Sequence, residues 1–350
     1  MTRKWWKIVQ VAFTYIGTIV GAGFATGQEI LQFFTRYGWL ATFTIALASL
    51  LFVWIGTKLM LMAGEINAQS YEDLNRHLFG KTAGMLISML TLLMLFGITT
   101  VMLAGAGSVF REHLHLSYQL GLIFTLLISY MVIAKGINGI LAVNTLVVPM
   151  MLIFTVLVVQ VTLRSSAAGN FLILQSDFSA KQILFSPFLY TAFNLALAQA
   201  VLVPIGTAIR DRDILKKGGI FGGIGIGVML MASHFAMSAQ MPEIARFEIP
   251  MGDIIHHLGS AVRFVYIIII YAEIFTTFIA NIYGLTLQIC SRSQARPRPV
   301  IVGLLIIAYL ISQVGFKELL STLYPLFGWV SLIWLVMVMW RKRAGGAGNL

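Results

Sequence analysis

The residues whose types and spacing could do chemistry begin with Glu273, Thr276 and Thr277, in the run Tyr271-Ala-Glu-Ile-Phe-Thr-Thr277 of a long apolar stretch. A charged side chain at the centre of a bilayer costs roughly 3 kcal/mol or more, so an intramembrane glutamate points to an ion, proton or substrate path. Positions i, i+3 and i+4 share one helical face, which sets the carboxyl beside the two hydroxyls. A second concentration lies in Tyr15-Ile-Gly-Thr-Ile-Val-Gly-Ala-Gly-Phe-Ala-Thr-Gly-Gln-Glu29, where four glycines and a carboxylate interrupt an otherwise apolar segment. Loosened backbone at membrane depth is tolerated only where protein or a polar cavity surrounds it, so this segment reads as a substrate site. Unwinding there frees amide N–H groups, and a half-helix starting near Phe24 aims its positive end at the gap, where a carboxylate would bind. Gly21, Ala22, Gly23 and Phe24 are the residues such a ligand would meet. The other reading is that Gly17, Gly21 and Gly23 are small-residue packing positions, and the i, i+4 spacing of the first two fits that well.

A third stretch, residues 186–206, carries Tyr190, Asn194, Gln199 and Pro204. Asn194 and Gln199 can satisfy backbone groups freed by a break, and Pro204 removes a donor one turn later, so a second interrupted helix is expected here. Tyr190 and Asn194 would then face the substrate. The same residues could instead hydrogen-bond between helices, with Pro204 only a kink.

These residues need apolar spans to hold them. The chain is 59% hydrophobic and 11% charged, which excludes an ordinary soluble domain and implies a polytopic membrane protein. Runs of about 20 apolar residues fall near 6–35, 39–63, 82–110, 118–134, 137–163, 186–209, 214–241, 258–289, 300–314 and 323–340, ten in all. The basic start Met1-Thr-Arg-Lys-Trp-Trp-Lys7 precedes a span that is long, internally polar and without a convincing cleavage site, so the first span is expected to be retained. Arg3, Lys4, Lys7, Lys58, Lys135, Arg210, Lys216, Lys217, Arg292 and the run Arg341-Lys-Arg343 fall on one side of the spans, which predicts that both termini are cytoplasmic. Topology and anionic lipid thus account for the net charge of +11, and nucleic-acid binding is a poor reading of it. Trp5, Trp6, Trp39, Trp329 and Trp340 read as interface anchors. The loops 65–81 and 242–257 have the amphipathic character of short surface helices, and residues 344–350 read as a frayed tail. The single cysteine, Cys290, allows no internal disulfide or metal pair.

The spans form halves of five, 6–163 and 186–340, within one domain covering 1–350. Five is odd, so halves of one fold must lie in opposite orientations, and such repeats put a substrate site between their first helices. The stretch Gly17-Thr-Ile-Val-Gly-Ala-Gly-Phe24 resembles the unwound first helix of the amino acid–polyamine–cation (APC) superfamily with the LeuT fold. More closely, Gly21-Ala-Gly-Phe-Ala-Thr-Gly-Gln-Glu29 followed by Ser70-Tyr-Glu-Asp-Leu-Asn-Arg-His-Leu-Phe-Gly80 is similar to the bacterial YkvI-type membrane proteins, regarded as amino-acid permeases. The resemblance implies an all-α, 5+5 inverted-repeat transporter with helices 1 and 6 broken, in the bacterial inner membrane. It also implies a Na+ site made of the Gly17 and Val20 carbonyls with Glu273, Thr276 and Thr277, a set of hard oxygens suited to a small hard cation. Glu273 departs from that pattern, in which its position lends only a carbonyl, and its carboxyl could bind the cation or hold a proton in its place. The competing reading has the threonines back-bonded within their helix and Glu273 paired with His234 or Asn281.

Glu29 reads as a gate or second proton site, or as the partner of Arg36 or Arg111 near the surface. His234 reads as a relay or as a satisfied interhelical group. The sequence has no nucleotide-binding glycine loop, no zinc-protease pair and no nucleophile elbow, so it predicts neither ATP-driven transport nor an enzyme. The expected function is secondary transport of an amino acid or similar small zwitterion, coupled to Na+ or H+ and needing no cofactor beyond the coupling ion. A nutrient sensor that binds without carrying is the alternative; a passive channel and an intramembrane hydrolase fit less well, because the polar residues cluster around spans one, six and eight without a nucleophile–base pair. A homo-oligomer is compatible with the sequence and not specified by it.

Overall fold

The computed structural model describes residues 2–246, 250–251, 254, 260–314, 327–328 and 331–340, and the described residues are helical and loop throughout. The helices are α1 (Thr2–Ile19), α2 (Ala22–Thr26), α3 (Gln28–Phe33), α4 (Leu40–Leu51), α5 (Thr57–Glu65), α6 (Tyr71–Phe79), α7 (Lys81–His113), α8 (Tyr118–Ile133), α9 (Ile137–Leu163), α10 (Asn170–Ile173), α11 (Ala180–Ala208), α12 (Arg212–Ser238), α13 (Ser260–Ser293), α14 (Pro297–Ser312) and α15 (Ser331–Trp340). Among the described residues six stretches are long and apolar enough to cross a membrane: Leu40–Glu65, Lys81–Arg111, Ile137–Leu163, Ala180–Ala208, Arg212–Ser238 and Phe264–Ser293. Three shorter apolar helices, α8, α14 and α15, fall where the fourth, ninth and tenth spans were expected. Trp329, Lys317, Arg341 to Arg343, the tail 344–350, residues 323–326 of the tenth span and much of the loop 242–257 lie outside the described residues. Large apolar side chains such as Phe43, Leu86, Leu127, Ile153 and Ile306 are exposed on the helix surfaces, as a lipid-facing belt requires.

Two helix groups make up the interior. α1 packs on α12, and α4, α5, α11 and α12 pack on one another around it. α7 packs on α13 and α8, with α14 against both α7 and α13. α9 touches both groups, through α1 and α12 on one side and α13 on the other. Between α4 and α5 the second span passes through a π-helical turn, Phe52–Gly56, and the Tyr15 hydroxyl donates to the Phe52 carbonyl at 2.8 Å. A π turn displaces one residue from the regular ladder, and here a neighbouring side chain takes up a carbonyl.

Glycine makes the close approach of α12 workable. A Cβ on Gly222 would stand 2.6 Å from Tyr15, and one on Gly223 would meet the backbone of Val53 at 2.6 Å. Small residues let membrane helices come into backbone contact, where van der Waals packing replaces the missing hydrophobic drive.

At the end of the molecule where α1 starts, Lys4 Nζ bridges Asp211 at 3.0 Å and Asp213 at 3.1 Å, and its hydrogen bond holds the exposed Asp211 carboxyl below its ordinary value. At the same end the short surface helix expected in 65–81 is α6, opened by a capping box between Ser70 and Asp73. Its buried Glu72 takes Arg76 Nη2 and Arg292 Nε, each at 2.5 Å, and the Gln288 amide, which ties α6 to α13.

The packing gives a testable contrast. Gly223→Leu forces a side chain into the second span and should lower the melting temperature of the purified protein, at a cost of about 1–3 kcal/mol. Gly303→Leu, where nothing lies within 4 Å, should leave it unchanged. Equal melting temperatures for the two variants would contradict the close approach of α12.

Candidate functional site

The site begins where α1 stops. Its ladder closes with Val20 N–H donating to the Ile16 carbonyl at 2.8 Å, and α2 opens with Ala25 N–H donating to the Gly21 carbonyl at 2.9 Å. The carbonyls of residues 17–20 and the N–H groups of residues 21–24 therefore lie outside either i to i+4 ladder. Gly27, with φ of +86°, then ends α2 and begins α3, a left-handed position that glycine adopts without strain.

Beside this gap is a cavity of about 30 Å³ lined by Thr18, Gly21, Glu29, Asn194, Thr277 and Asn281, with Ile98, Met102 and Phe193 among its apolar walls. Thr18, Gly21 and Asn194 come from the α1 group, whereas Ile98, Met102, Thr277 and Asn281 come from α7 and α13. The cavity thus lies on the seam between the two helix groups. Its volume has room for about two waters, so a larger ligand requires the groups to separate.

Among the residues singled out from sequence, some converge here and others do not. Gly21 faces Thr277, whose Oγ1 would stand 2.9 Å from a Cβ at position 21. Gly23 is covered by Glu29, whose Oε1 would stand 2.1 Å from a Cβ there. Ala22 contributes backbone at the first residue of α2. Phe24 turns away into a second small cavity with Met151, Phe154, Met229 and Tyr266. Tyr190 is fully buried among the Phe33, Phe34 and Phe52 rings, with centroids at 5.5, 5.1 and 6.0 Å, and does not line the first cavity. Asn194 does line it, with Nδ2 donating to the Tyr190 carbonyl at 3.0 Å.

The expected break in the sixth span is absent, for α11 runs from Ala180 to Ala208 without interruption. The carboxamides explain this. Asn194 bonds the Tyr190 carbonyl, and Gln199 Nε2 bonds the Ala196 carbonyl at 2.9 Å and the Thr91 hydroxyl of α7 at 3.2 Å, so neither amide serves a break, and the surrounding alanines favour the helix. Pro204 sits inside the helix and costs a single donor.

Of Glu273, Thr276 and Thr277 in α13, only Thr277 lines the cavity; all three are buried or nearly so within the helix packing, and both Glu273 carboxyl oxygens are without a hydrogen-bond partner among the described residues. Neither partner suggested for it is engaged: His234 contacts the hydroxyls of Ser238 at 3.1 Å and Thr35 at 3.3 Å, and Asn281 Nδ2 has no partner. Thr276 Oγ1 back-bonds to the Glu273 carbonyl at 3.0 Å, which spends its proton and leaves its lone pairs. Thr277 Oγ1 is buried with no hydrogen-bond partner among the described residues. Val20 is fully buried, and Gly17 faces Asn144 of α9. Arg36 stacks over Tyr37 and Phe178 at 4.9 Å and donates to the Tyr37 hydroxyl, while Arg111 lies over Tyr118 at 5.5 Å.

Sequence reasoning missed Thr18 and Asn281 as cavity residues and Asn144 altogether. The available signal was a polar side chain standing alone on an apolar helix, which in a membrane faces protein or a cavity. Chemically, the gap offers bare acceptors and donors of the backbone next to the hydroxyls of Thr18 and Thr277, the carboxamides of Asn194 and Asn281 and the carboxyl of Glu29, groups of the kinds that bind small hard cations and zwitterions.

Comparison with known proteins decides the family. Membrane protein YkvI of Bacillus subtilis (strain 168) is 39% identical over 340 residues, covering 95% of each chain. The chain belongs to the YkvI family. A second relative, protein YyaD of the same organism, is 23% identical over 96% of the chain and 95% of the relative. No profile of an established protein family matches. Among solved structures the chain is similar to a Na+-coupled sialic acid symporter in its substrate-bound outward-open state (TM-score 0.72, 13% identity, 96% of this chain and 79% of that one). It is also similar to MhsT in complex with L-phenylalanine (0.69, 14%, 94% and 87%) and to Mhp1, a nucleobase-cation-symport-1 family transporter, closed on bromovinylhydantoin (0.61, 13%, 95% and 77%). These are LeuT-fold transporters, and the chain shares their fold.

Gly21→Val would push a branched side chain against Thr277 and fill the cavity. The variant should insert and purify yet lose amino-acid-induced thermal stabilisation in a ligand screen, whereas wild type keeps it. Wild-type-like stabilisation of Gly21→Val would remove the site from this gap.

Proposed function

We propose that the protein is a secondary active transporter of an amino acid or similar small zwitterion, coupled to Na+ or H+ and working by alternating access. One observation carries the reading: the interrupted α1 opens onto a cavity that lies on the seam between two helix groups. Motion of one group against the other would expose such a cavity first to one side of the membrane and then to the other. The fold shared with three transporters supports carriage. Residues 1–350 act as one transporter domain of two five-span repeats, about 6–163 and 186–340, with both termini in the cytoplasm and the cell membrane as its place.

In this account the substrate carboxylate takes the free N–H groups at residues 21–24, with Gly21, Ala22 and Gly23 giving it access. Asn194, Thr18 and Asn281 complete its polar contacts, and Glu29 closes the cavity above Gly23. The cation takes the carbonyls of Gly17 and Val20 with Thr276 and Thr277. Glu273, one turn along α13 from Thr277, is the acid that binds the cation or holds a proton in its place. We favour Na+, since a pair of hydroxyls would be superfluous to a site for protons alone.

Purified protein in proteoliposomes tests this. Uptake of the amino acid that most stabilises the protein should accumulate under an imposed Na+ gradient at fixed pH and not under a pH gradient without Na+. Accumulation under the pH gradient alone would overturn the Na+ assignment, and accumulation under neither would overturn carriage. Thr276→Ala and Thr277→Ala should each weaken Na+ affinity roughly tenfold, and substrate affinity with it through linkage, while leaving substrate binding without Na+ nearly unchanged. Unaltered Na+ dependence in both would make the hydroxyls structural.

A further inference from the structure

Asn144 lies in α9, a span otherwise almost wholly apolar, and it is fully buried. Its Nδ2 donates to the Ile140 carbonyl at 3.0 Å, one turn back in its own helix. That bond fixes the amide's orientation, since the reversed amide would set one carbonyl oxygen against another. Oδ1 is consequently aimed at α1, where it would stand 1.8 Å from a Cβ on Gly17, and it has no hydrogen-bond partner among the described residues. A buried acceptor left without a donor costs about 1–3 kcal/mol.

Oδ1 lies against Gly17, the first of the four residues whose carbonyls leave the α1 ladder, and Thr277 Oγ1, without a hydrogen-bond partner among the described residues, lies against Gly21, one turn further along the same segment. The amide oxygen of Asn144 and the hydroxyl of Thr277 thus reach the segment of released carbonyls from two different helices. Carbonyl, hydroxyl and carboxamide oxygens are the ligands a hard cation accepts. Gly17 fits the same purpose, because any side chain there would displace Oδ1 from the end of α1.

We propose that Asn144 Oδ1 is a ligand of the coupling cation, supplied by α9 to the site at the end of α1. This rests on the cation site of the proposed function and extends it to a third helix. It also has a mechanical consequence: α9 touches both helix groups, so a cation held between Gly17, Thr277 and Asn144 ties the end of α1 to α9 and α13 at once. Cation binding would then stabilise one relative position of the groups.

The test uses purified full-length protein and NaCl as the probe, titrated against KCl at constant ionic strength, with melting temperature and intrinsic tryptophan fluorescence as readouts. Wild type should be stabilised by Na+ over K+. Asn144→Leu, similar in size and without oxygen, should shift the Na+ midpoint upward about tenfold or more, the loss of one contact to a charged group. Asn144→Asp keeps an oxygen and adds charge, so its midpoint should fall at or below that of wild type. An unchanged midpoint in Asn144→Leu, with an equal loss of stability in Na+ and K+, would make Oδ1 the acceptor of a structural water and overturn the assignment. If Asn144→Leu does not purify, Asn144→Asp decides alone, and a raised midpoint or lost Na+ response there overturns it. Absence of any Na+ effect on wild type would instead overturn the Na+ site itself, of which this ligand is one part.

Discussion

Backbone amides and carbonyls inside a bilayer find no water, and the interruption of α1 between Ile19 and Ala22 sets that constraint against the rest of the molecule. Eight backbone groups leave the helical ladder at one point. Each must be met by protein or by something the protein binds, and the surroundings of the gap follow from that need. Thr277 comes to Gly21 from α13, Asn144 to Gly17 from α9, Glu29 folds back over Gly23, and Asn194 reaches the same cavity from α11. Polar groups that would be costly on a lipid-facing helix are thus gathered where the backbone already lacks partners.

Holding a broken helix at depth requires close packing around its intact half. The glycines of α12 supply it. Gly218 faces Val11, Gly222 faces Tyr15 and Gly225 faces Ile16, so one helix lays its smallest residues along the length of α1. Tyr15 in turn reaches into the π turn of the second span, where Gly56 leaves space for its hydroxyl. The result is a rigid unit of α1, the second span and α12, with the gap at its edge and α7 and α13 opposite. A cavity of about 30 Å³ lies at that boundary. The buried Glu72 cluster pins α6 to the end of α13, so the opposing group is braced at the end where α1 begins.

Much of this was legible in the residues alone. Apolar length located the six long spans to within about six residues, because a bilayer imposes it, and the glycines at 17, 21 and 23 with Glu29 pointed to the interrupted segment, although the glycines of α12 show that the same residue type also serves packing in an unbroken helix. What escaped was decided by packing between elements. Whether Asn194 and Gln199 accompany a break or sustain a helix depends on where their amides point, and each turned out to bond a carbonyl of its own helix. Tyr190 looked like a ligand residue and is instead enclosed by three phenylalanines from distant positions. Asn144 carries no local signal beyond its polarity, and its meaning appears only once α9 lies against Gly17. The glycine run of α12 has the same character, since a close contact cannot be inferred from one side.

The central claim is that ligands meet bare backbone at the α1 gap, and hydrogen exchange at those amides tests it most directly. Purified protein in NaCl, with and without an equimolar pool of the common amino acids, would be followed by mass spectrometry over peptides covering residues 15–27. The account predicts that amides 21–24 exchange rapidly without ligand and slow in its presence, with α13 around Thr277 slowing alongside. Unchanged exchange at residues 21–24, while the pool still stabilises the protein, would place the ligand elsewhere and contradict it.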